Sequence, residues 1–133
     1  MTVTKKSSNK PISRLINATR YSMNGLRAAW KEEQAFRLEV TAVIVLLPIA
    51  VWLPIEHSQR VALILTMIVV LIVELLNSAI EAITDLVTED FHPLAKKAKD
   101  FASAAVFISL ICSGGVWLSC LYQLFLKYGL LEA

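Results

Sequence analysis

Four polar side chains follow one face of an otherwise apolar part of this 133-residue chain. They are spaced by three or four residues, as neighbours on one face of a helix are. This carboxylate stripe consists of Glu74, Asn77, Glu81 and Asp85. It follows directly on residues 61–73, in which Thr66 is the one polar side chain. Ionisable groups are expensive inside a bilayer and are usually functional there, so we interpret the stripe as part of a site rather than as polar glue between helices.

The depth of the stripe in a membrane can be derived from helix geometry. The step from Val61 to Glu74 covers roughly 20 Å of helix, and the hydrocarbon of a bilayer is about 30 Å thick. Glu74 is therefore expected about 10 Å below one membrane boundary, and Glu81 near that boundary. The stripe leads from water to the level at which a lipid headgroup lies.

Two charged clusters flank the same level. The segment "EEQAFRLE" (32–39) and the segment "KKAKDFAS" (96–103) both stand where predicted helices enter the membrane. Paired carboxylates suit Mg²⁺, lysine and arginine suit phosphate oxygens, and a deeper carboxylate can take a proton from a hydroxyl. Together they indicate phosphoryl transfer from Mg-ATP to a lipid alcohol. Neither a G-x-x-x-x-G-K-[ST] loop nor a protein-kinase signature set is present, so the nucleotide site must be built differently.

The composition is that of a membrane protein. Hydrophobic residues make up 56% of the chain, charged residues 18%, and the mean hydropathy is +0.61. A net charge of +2 and the lack of a basic arm with interleaved aromatic residues argue against a nucleic-acid partner. Cys112 and Cys120 lie roughly 12 Å apart along one predicted helix, too far to form a disulfide. We interpret them as small apolar side chains.

The pattern predicts an all-α membrane protein of one domain, with an amphipathic surface helix and three transmembrane helices. The predicted segments are a disordered tail at 1–10, the surface helix region at 11–34, and transmembrane helices at 36–55, 61–86 and 101–126. We expect a break or a bend at Asn24-Gly25, a tight polar turn at 56–60 and a polar loop at 88–100. Ala105, Ser109 and Ser113 predict a small-residue face for helix packing.

Lysine and arginine predict the orientation. The N-terminal arm, counted up to Arg37 at the entry to the first span, carries eight of them and the 88–100 loop carries three, whereas the opposite side has Arg60 and Lys127. The N-terminus and the second loop are therefore expected in the cytoplasm. The first apolar stretch begins too late for a signal peptide, so we expect the N-terminal segment to be retained.

Three motifs resemble the small integral-membrane diacylglycerol kinases of bacteria. They are "YSMNGLRAAWKEEQAFRLE" (21–39), "VELLNSAIEAITD" (73–85) and "AKDFASAAV" (98–106), and the likeness covers about residues 11–126. It implies a homotrimeric bundle in the bacterial inner membrane, with active sites shared between subunits at the cytoplasmic interface. Two positions depart from the family pattern. Met23-Asn24 stands where Trp-Lys is common, and Lys96-Lys97 stands where Gly-Arg is common, although Lys97 keeps the charge.

The resemblance also implies roles for particular residues. Glu74 is similar to the catalytic base on the lipid hydroxyl, with Asn77 as an active-site amide, and Glu33 and Glu81 are similar to Mg²⁺ ligands. The residues implied to bind ATP are Arg14, Tyr21, Glu33, Glu81, Asp90, Phe91, His92, Lys99 and Asp100. Those implied to bind the lipid are Arg27, Trp30, Ala35, Phe36, Arg37, Leu38, Glu39, Glu74 and Ser103.

The leading hypothesis is an ATP-dependent, Mg²⁺-dependent kinase that converts 1,2-diacylglycerol to phosphatidic acid. The alternative within this fold is an undecaprenol kinase. A proton-coupled exporter would also need a membrane carboxylate, but the stripe opens to one side only. A non-catalytic trimeric scaffold would need no Mg²⁺-dependent nucleotide binding, which distinguishes it from the kinases.

Overall fold

The computed structural model describes residues 11–88 and 90–129, and these form four α-helices without a strand. They are α1 (Pro11–Glu32), α2 (Gln34–Trp52), α3 (His57–Val87) and α4 (Pro93–Gly129). The predicted all-helical class is confirmed. The predicted tail at 1–10 lies outside the described residues.

Helices α2, α3 and α4 are each long and apolar enough to cross a membrane, which confirms three candidate spans. Most of their residues are exposed in the single chain, including large side chains such as Leu65, Phe107 and Leu118. Apolar surface on this scale must be covered by lipid or by other protein. The three candidate spans follow one another along the chain in the predicted order.

Helix α3 is the centre of the packing, because it contacts α4 along much of its length and α2 to a smaller extent. A core of Ala50, Leu63, Met67 and Cys120 joins the three spans. Helix α1 packs against α2. The carboxylate stripe therefore lies on the helix that both other spans support.

Leu63 is fully buried at the middle of this core. Inside a membrane, packing contacts between side chains hold the helices together, and shortening a buried side chain removes those contacts. We expect Leu63→Ala to lower the free energy of unfolding by about 2 kcal/mol. Leu65→Ala is the matched control, because Leu65 is 55% exposed two residues away. Equal losses in denaturant titrations of the two variants in detergent micelles would contradict this packing.

The predicted turn at 56–60 is wrong, because α3 begins at His57. Glu56 is the N-cap, its side chain accepts the backbone N–H of Gln59, and the side chain of Gln59 accepts the backbone N–H of Glu56 at 3.1 Å. Such reciprocal bonds satisfy the free donors of a first helical turn. Arg60 then donates to the carbonyl oxygens of Ala50 and Leu53, which joins α3 to the end of α2.

Two further expectations about element boundaries are corrected. The predicted loop at 88–100 is mostly helical, since α4 begins at Pro93, and His92 Nδ1 accepts the N–H of Leu94 at 3.2 Å. Proline in a first turn leaves no hydrogen bond unmade. Helix α1 runs through Asn24-Gly25 without a break. A single glycine inside a helix is tolerated at a modest cost.

The small-residue face of α4 is rotated from the predicted one. Ser109 and Ser113 are buried as predicted, but Ala105 is exposed and Ala102 is buried instead. Ser113 Oγ lies 3.4 Å from Thr66 Oγ1 of α3. The buried positions 102, 109 and 113 are separated by seven and four residues, a spacing typical of coiled coils. The predicted face used steps of four residues alone and therefore follows the contact with α3 less closely.

Candidate active site

Four carboxylates from three parts of the chain gather around Glu74 and form a carboxylate cluster of Glu33, Glu39, Glu74 and Glu81. Like-charge repulsion acts on Glu74 from Glu81 and Glu33, and on Glu39 from Glu74. Glu74 is 3% exposed, and the other three are half-buried. The two ion pairs among the described residues both lie elsewhere, so no basic side chain pairs with this cluster. Unpaired carboxylates close to one another favour a positively charged partner, although no three acidic, histidine or cysteine side chains of the described residues form a group that could hold a metal ion.

Several polar atoms of the cluster region are buried without a partner among the described residues. Asn77 Nδ2 donates to Glu81 Oε1 at 3.1 Å, but Asn77 Oδ1 accepts no hydrogen bond. Glu39 Oε2 and Ser78 Oγ are likewise buried and unpartnered. Buried polar groups are normally satisfied, so each of these atoms requires an explanation. A polar ligand, bound water or a neighbouring chain would supply the missing partners.

The corner between α1 and α2 brings Glu33 into the cluster. Glu33 has an extended backbone, donates its N–H to Ala29 O at 2.9 Å, and is the N-cap of α2. Arg37 Nη1 donates to the carbonyl oxygens of Trp30 and Lys31 at 3.1 and 3.0 Å. The Arg37 guanidinium therefore caps the end of α1 rather than pairing with Glu33, and this holds the corner in place.

A second group of polar residues lines a cleft where α3 meets α4. We name it the nucleotide-side cleft after the ATP residues that the sequence predicts there, and its volume is about 420 Å³. Its lining includes five residues that the sequence predicts for ATP: Asp90, Phe91, His92, Lys99 and Asp100. Lys99 Nζ bonds Asp85 Oδ1 of α3 at 2.5 Å, and Lys96 Nζ bonds Asp100 Oδ2 at 2.5 Å. The first of these pairs ties the two helices together at the mouth of the cleft.

The remaining predicted residues lie apart on α1, α2 and α4, and most of them are exposed. Arg14, Tyr21, Arg27 and Trp30 are exposed on α1. On the other helices Phe36 is buried, whereas Ala35, Leu38 and Ser103 are exposed. Helix α1 packs against α2 and has no extensive contact with α4. One chain therefore does not bring the predicted ATP residues of α1 and those of α4 into one compact site.

Sequence reasoning missed several residues at these sites. Thr84 and Thr88 line the nucleotide-side cleft, and Ser78 lies beside the stripe in an apolar cleft of about 560 Å³ between α1 and α3. Lys96 is not among the missed residues, since helical spacing places it on one face with Lys99 and Asp100, and all three line the cleft. Thr84 and Ser78 lie next to stripe residues and carried no signal of their own, because small hydroxyl residues are common in ordinary helix contacts.

Comparisons with known proteins agree on one family. The family model described as prokaryotic diacylglycerol kinase matches residues 20–121. The chain is 46% identical to the diacylglycerol kinase of Escherichia coli over 113 residues, which are 85% of this chain and 93% of the relative. It is 44% identical to that of Pseudomonas aeruginosa over 110 residues, 83% and 89% of the two chains. It is 43% identical to that of Helicobacter pylori over 118 residues, 89% and 92% of the two chains. The match covers the carboxylate cluster and the nucleotide-side cleft alike, and the chain belongs to the prokaryotic diacylglycerol kinase family.

Proposed function

We propose that this protein transfers the γ-phosphoryl group of ATP to the hydroxyl of 1,2-diacylglycerol and forms phosphatidic acid. The observation that carries the proposal is Glu74, a carboxylate buried within an apolar span near three other carboxylates, with no basic side chain of the described residues paired to it. An ionisable group at such a place is retained for function. The diacylglycerol kinases among its relatives support this reaction class.

Glu74 is the proposed general base. Its carboxylate takes the proton of the lipid hydroxyl as the hydroxyl oxygen forms a bond to the γ-phosphorus, and the bond from that phosphorus to the β-γ bridging oxygen breaks to release ADP. Because Glu74 is buried, water is kept from competing with the lipid hydroxyl as the acceptor of the phosphoryl group. Asn77 lies one helical turn away and holds Glu81 in place through its amide. Its carbonyl oxygen has no partner among the described residues and is available to bound water.

Glu33 and Glu81 are the proposed Mg²⁺ ligands. Both act electrostatically on Glu74, and Glu81 still has one carboxylate oxygen that Asn77 does not contact. Among the described residues no three acidic, histidine or cysteine side chains form a metal-binding group. Two carboxylates fit Mg²⁺, which binds through one or two of them together with waters and substrate phosphates. When bound there, Mg²⁺ would neutralise charge on the transferring phosphoryl group.

A homotrimer with shared sites is part of the proposal. The ATP residues proposed on α1 and those proposed on α4 belong to helices without extensive mutual contact. A neighbouring chain that places its α1 near this α4 would complete the site. The broad exposed faces of the three spans leave room for such contacts. We propose further that α1 lies on the cytoplasmic surface of the bacterial inner membrane, where its basic residues meet anionic lipid.

The lipid acceptor is tested by competition. Purified protein in mixed micelles is given Mg-ATP together with diacylglycerol and undecaprenol, and the phosphorylated products are separated. We expect phosphatidic acid as the main product and little undecaprenyl phosphate. A preference for undecaprenol would leave the proposed phosphoryl-transfer site unchanged and would make undecaprenol, rather than diacylglycerol, the lipid acceptor. Transfer to neither lipid by folded protein would refute the proposed function.

A further inference from the structure

The nucleotide-side cleft carries more negative than positive charge. Its described lining has three carboxylates, from Asp85, Asp90 and Asp100, against two lysines, Lys96 and Lys99. A polyphosphate is repelled by such a lining unless a lysine turns towards it. The availability of each lysine therefore decides how readily it contacts a phosphate.

The two lysines differ in how firmly they are held. Lys99 joins α4 to Asp85 on α3, and its side chain is 40% exposed. Moving Lys99 would open the contact between the helices. Lys96 pairs with Asp100 one turn away on the same helix, and its side chain is 60% exposed. An exposed pair of this type contributes little to stability, so Lys96 can leave Asp100 at small cost.

The neighbouring Lys97 points elsewhere. Its Nζ lies 5.4 Å from the ring centroid of Phe101, a cation–π distance, and Lys97 is not part of the cleft lining. Consecutive helical residues are about 100° apart around the axis. The family pattern has its positive charge at position 97. In this chain Lys96, and not Lys97, brings a positive charge to the cleft.

We propose that Lys96 is a phosphate-binding residue of this chain, whose ammonium group moves from Asp100 Oδ2 to a phosphate oxygen of the bound nucleotide. The exchange also frees the Asp100 carboxylate as an acceptor for the same nucleotide. Charge-assisted contacts to phosphate are among the stronger hydrogen bonds in proteins. This inference rests on the proposed function, because it deepens the nucleotide site of that reaction.

Binding of Mg-ATP without lipid tests the proposal separately from catalysis. We expect Lys96→Gln to raise the Kd for Mg-ATP about fivefold to tenfold, and Lys96→Arg to stay within about twofold because it keeps the charge. Lys97→Gln removes the same charge from the adjacent position and is expected to change Kd less than about twofold. In the lipid assay Lys96→Gln should raise KM for Mg-ATP while KM for diacylglycerol and kcat stay near the parental values.

A double-variant cycle separates a direct phosphate contact from an indirect role through Asp100. If Lys96 contacts phosphate, Lys96→Gln still raises the Kd for Mg-ATP in an Asp100→Asn background. About 1 M salt should then reduce the difference in Kd between the proteins with and without Lys96, because salt screens the charge. An unchanged Kd in that background, or a larger effect of Lys97→Gln than of Lys96→Gln, would overturn the proposal. Parental protein that binds Mg-ATP through Lys96 but phosphorylates no lipid would refute the proposed function and retain this inference. Failure of the folded parent to bind Mg-ATP would refute both.

Discussion

Replacing Glu74 with glutamine is expected to lower kcat about a thousandfold, because the amide keeps the shape of the side chain but cannot take the substrate proton. The same variant should be at least as stable as the parent. Glutamine removes a buried charge that lies near three other carboxylates and that no basic side chain of the described residues pairs with. Loss of activity together with retained or raised stability is typical of a residue kept for chemistry.

Two measurements check this prediction, namely kcat in mixed micelles and the thermal midpoint of the same sample. Binding of Mg-ATP should stay close to parental, which shows that the site is still formed. If Glu74 only joined helices, Glu74→Gln would lower the thermal midpoint and reduce activity in proportion. Parental turnover in the variant would rule out the base assignment.

The second large effect is expected from the proposed metal ligands. Glu33→Gln and Glu81→Gln should each lower activity about a hundredfold at a fixed Mg²⁺ concentration, and higher Mg²⁺ should restore part of it. Glutamine at position 81 still offers an oxygen to Asn77 Nδ2, so the variant removes charge while keeping the hydrogen bond. The effect can therefore be attributed to the cation rather than to a lost helix contact.

Glu32→Gln is the matched control for these variants. Glu32 is an exposed carboxylate at the end of α1, next to Glu33 in the chain. We expect its activity and Mg²⁺ dependence to equal those of the parent. Activation curves for Mg²⁺ that coincide for Glu33→Gln, Glu81→Gln and Glu32→Gln would contradict the assignment of the two ligands.

The helical architecture follows from the sequence because the hydrophobic runs and the periodicity are local signals. The errors lie at helix ends. The segment 56–60 has a polar composition typical of a turn, yet the reciprocal bonds of Glu56 and Gln59 start α3 there. Likewise Pro93 and His92 start α4 within a stretch that composition alone assigns to a loop. Polar residues at a helix start and in a turn have the same composition, and only their hydrogen bonds distinguish them.

The site was predictable to a lesser degree. Spacing on one helix places Glu74, Asn77 and Glu81 on one face, and the structure has Asn77 and Glu81 in contact. The approach of Glu33 depends on the corner that Arg37 holds, which is a contact between segments far from α3 in the chain. Spacing on α4 places Lys96 with Lys99 and Asp100 on one face, and the structure has all three in the lining of the cleft. Trimer formation and the individual residue roles stay predictions.

The most direct test of this account is the fate of the γ-phosphate of ATP. Labelled ATP, Mg²⁺ and diacylglycerol are given to the parental protein and to Glu74→Gln in the same micelles, and the label is traced. We expect label in phosphatidic acid with the parent, and almost none with Glu74→Gln although this variant binds Mg-ATP. Label released as free phosphate by the folded parent, or transfer to lipid at the parental rate by Glu74→Gln, would contradict it.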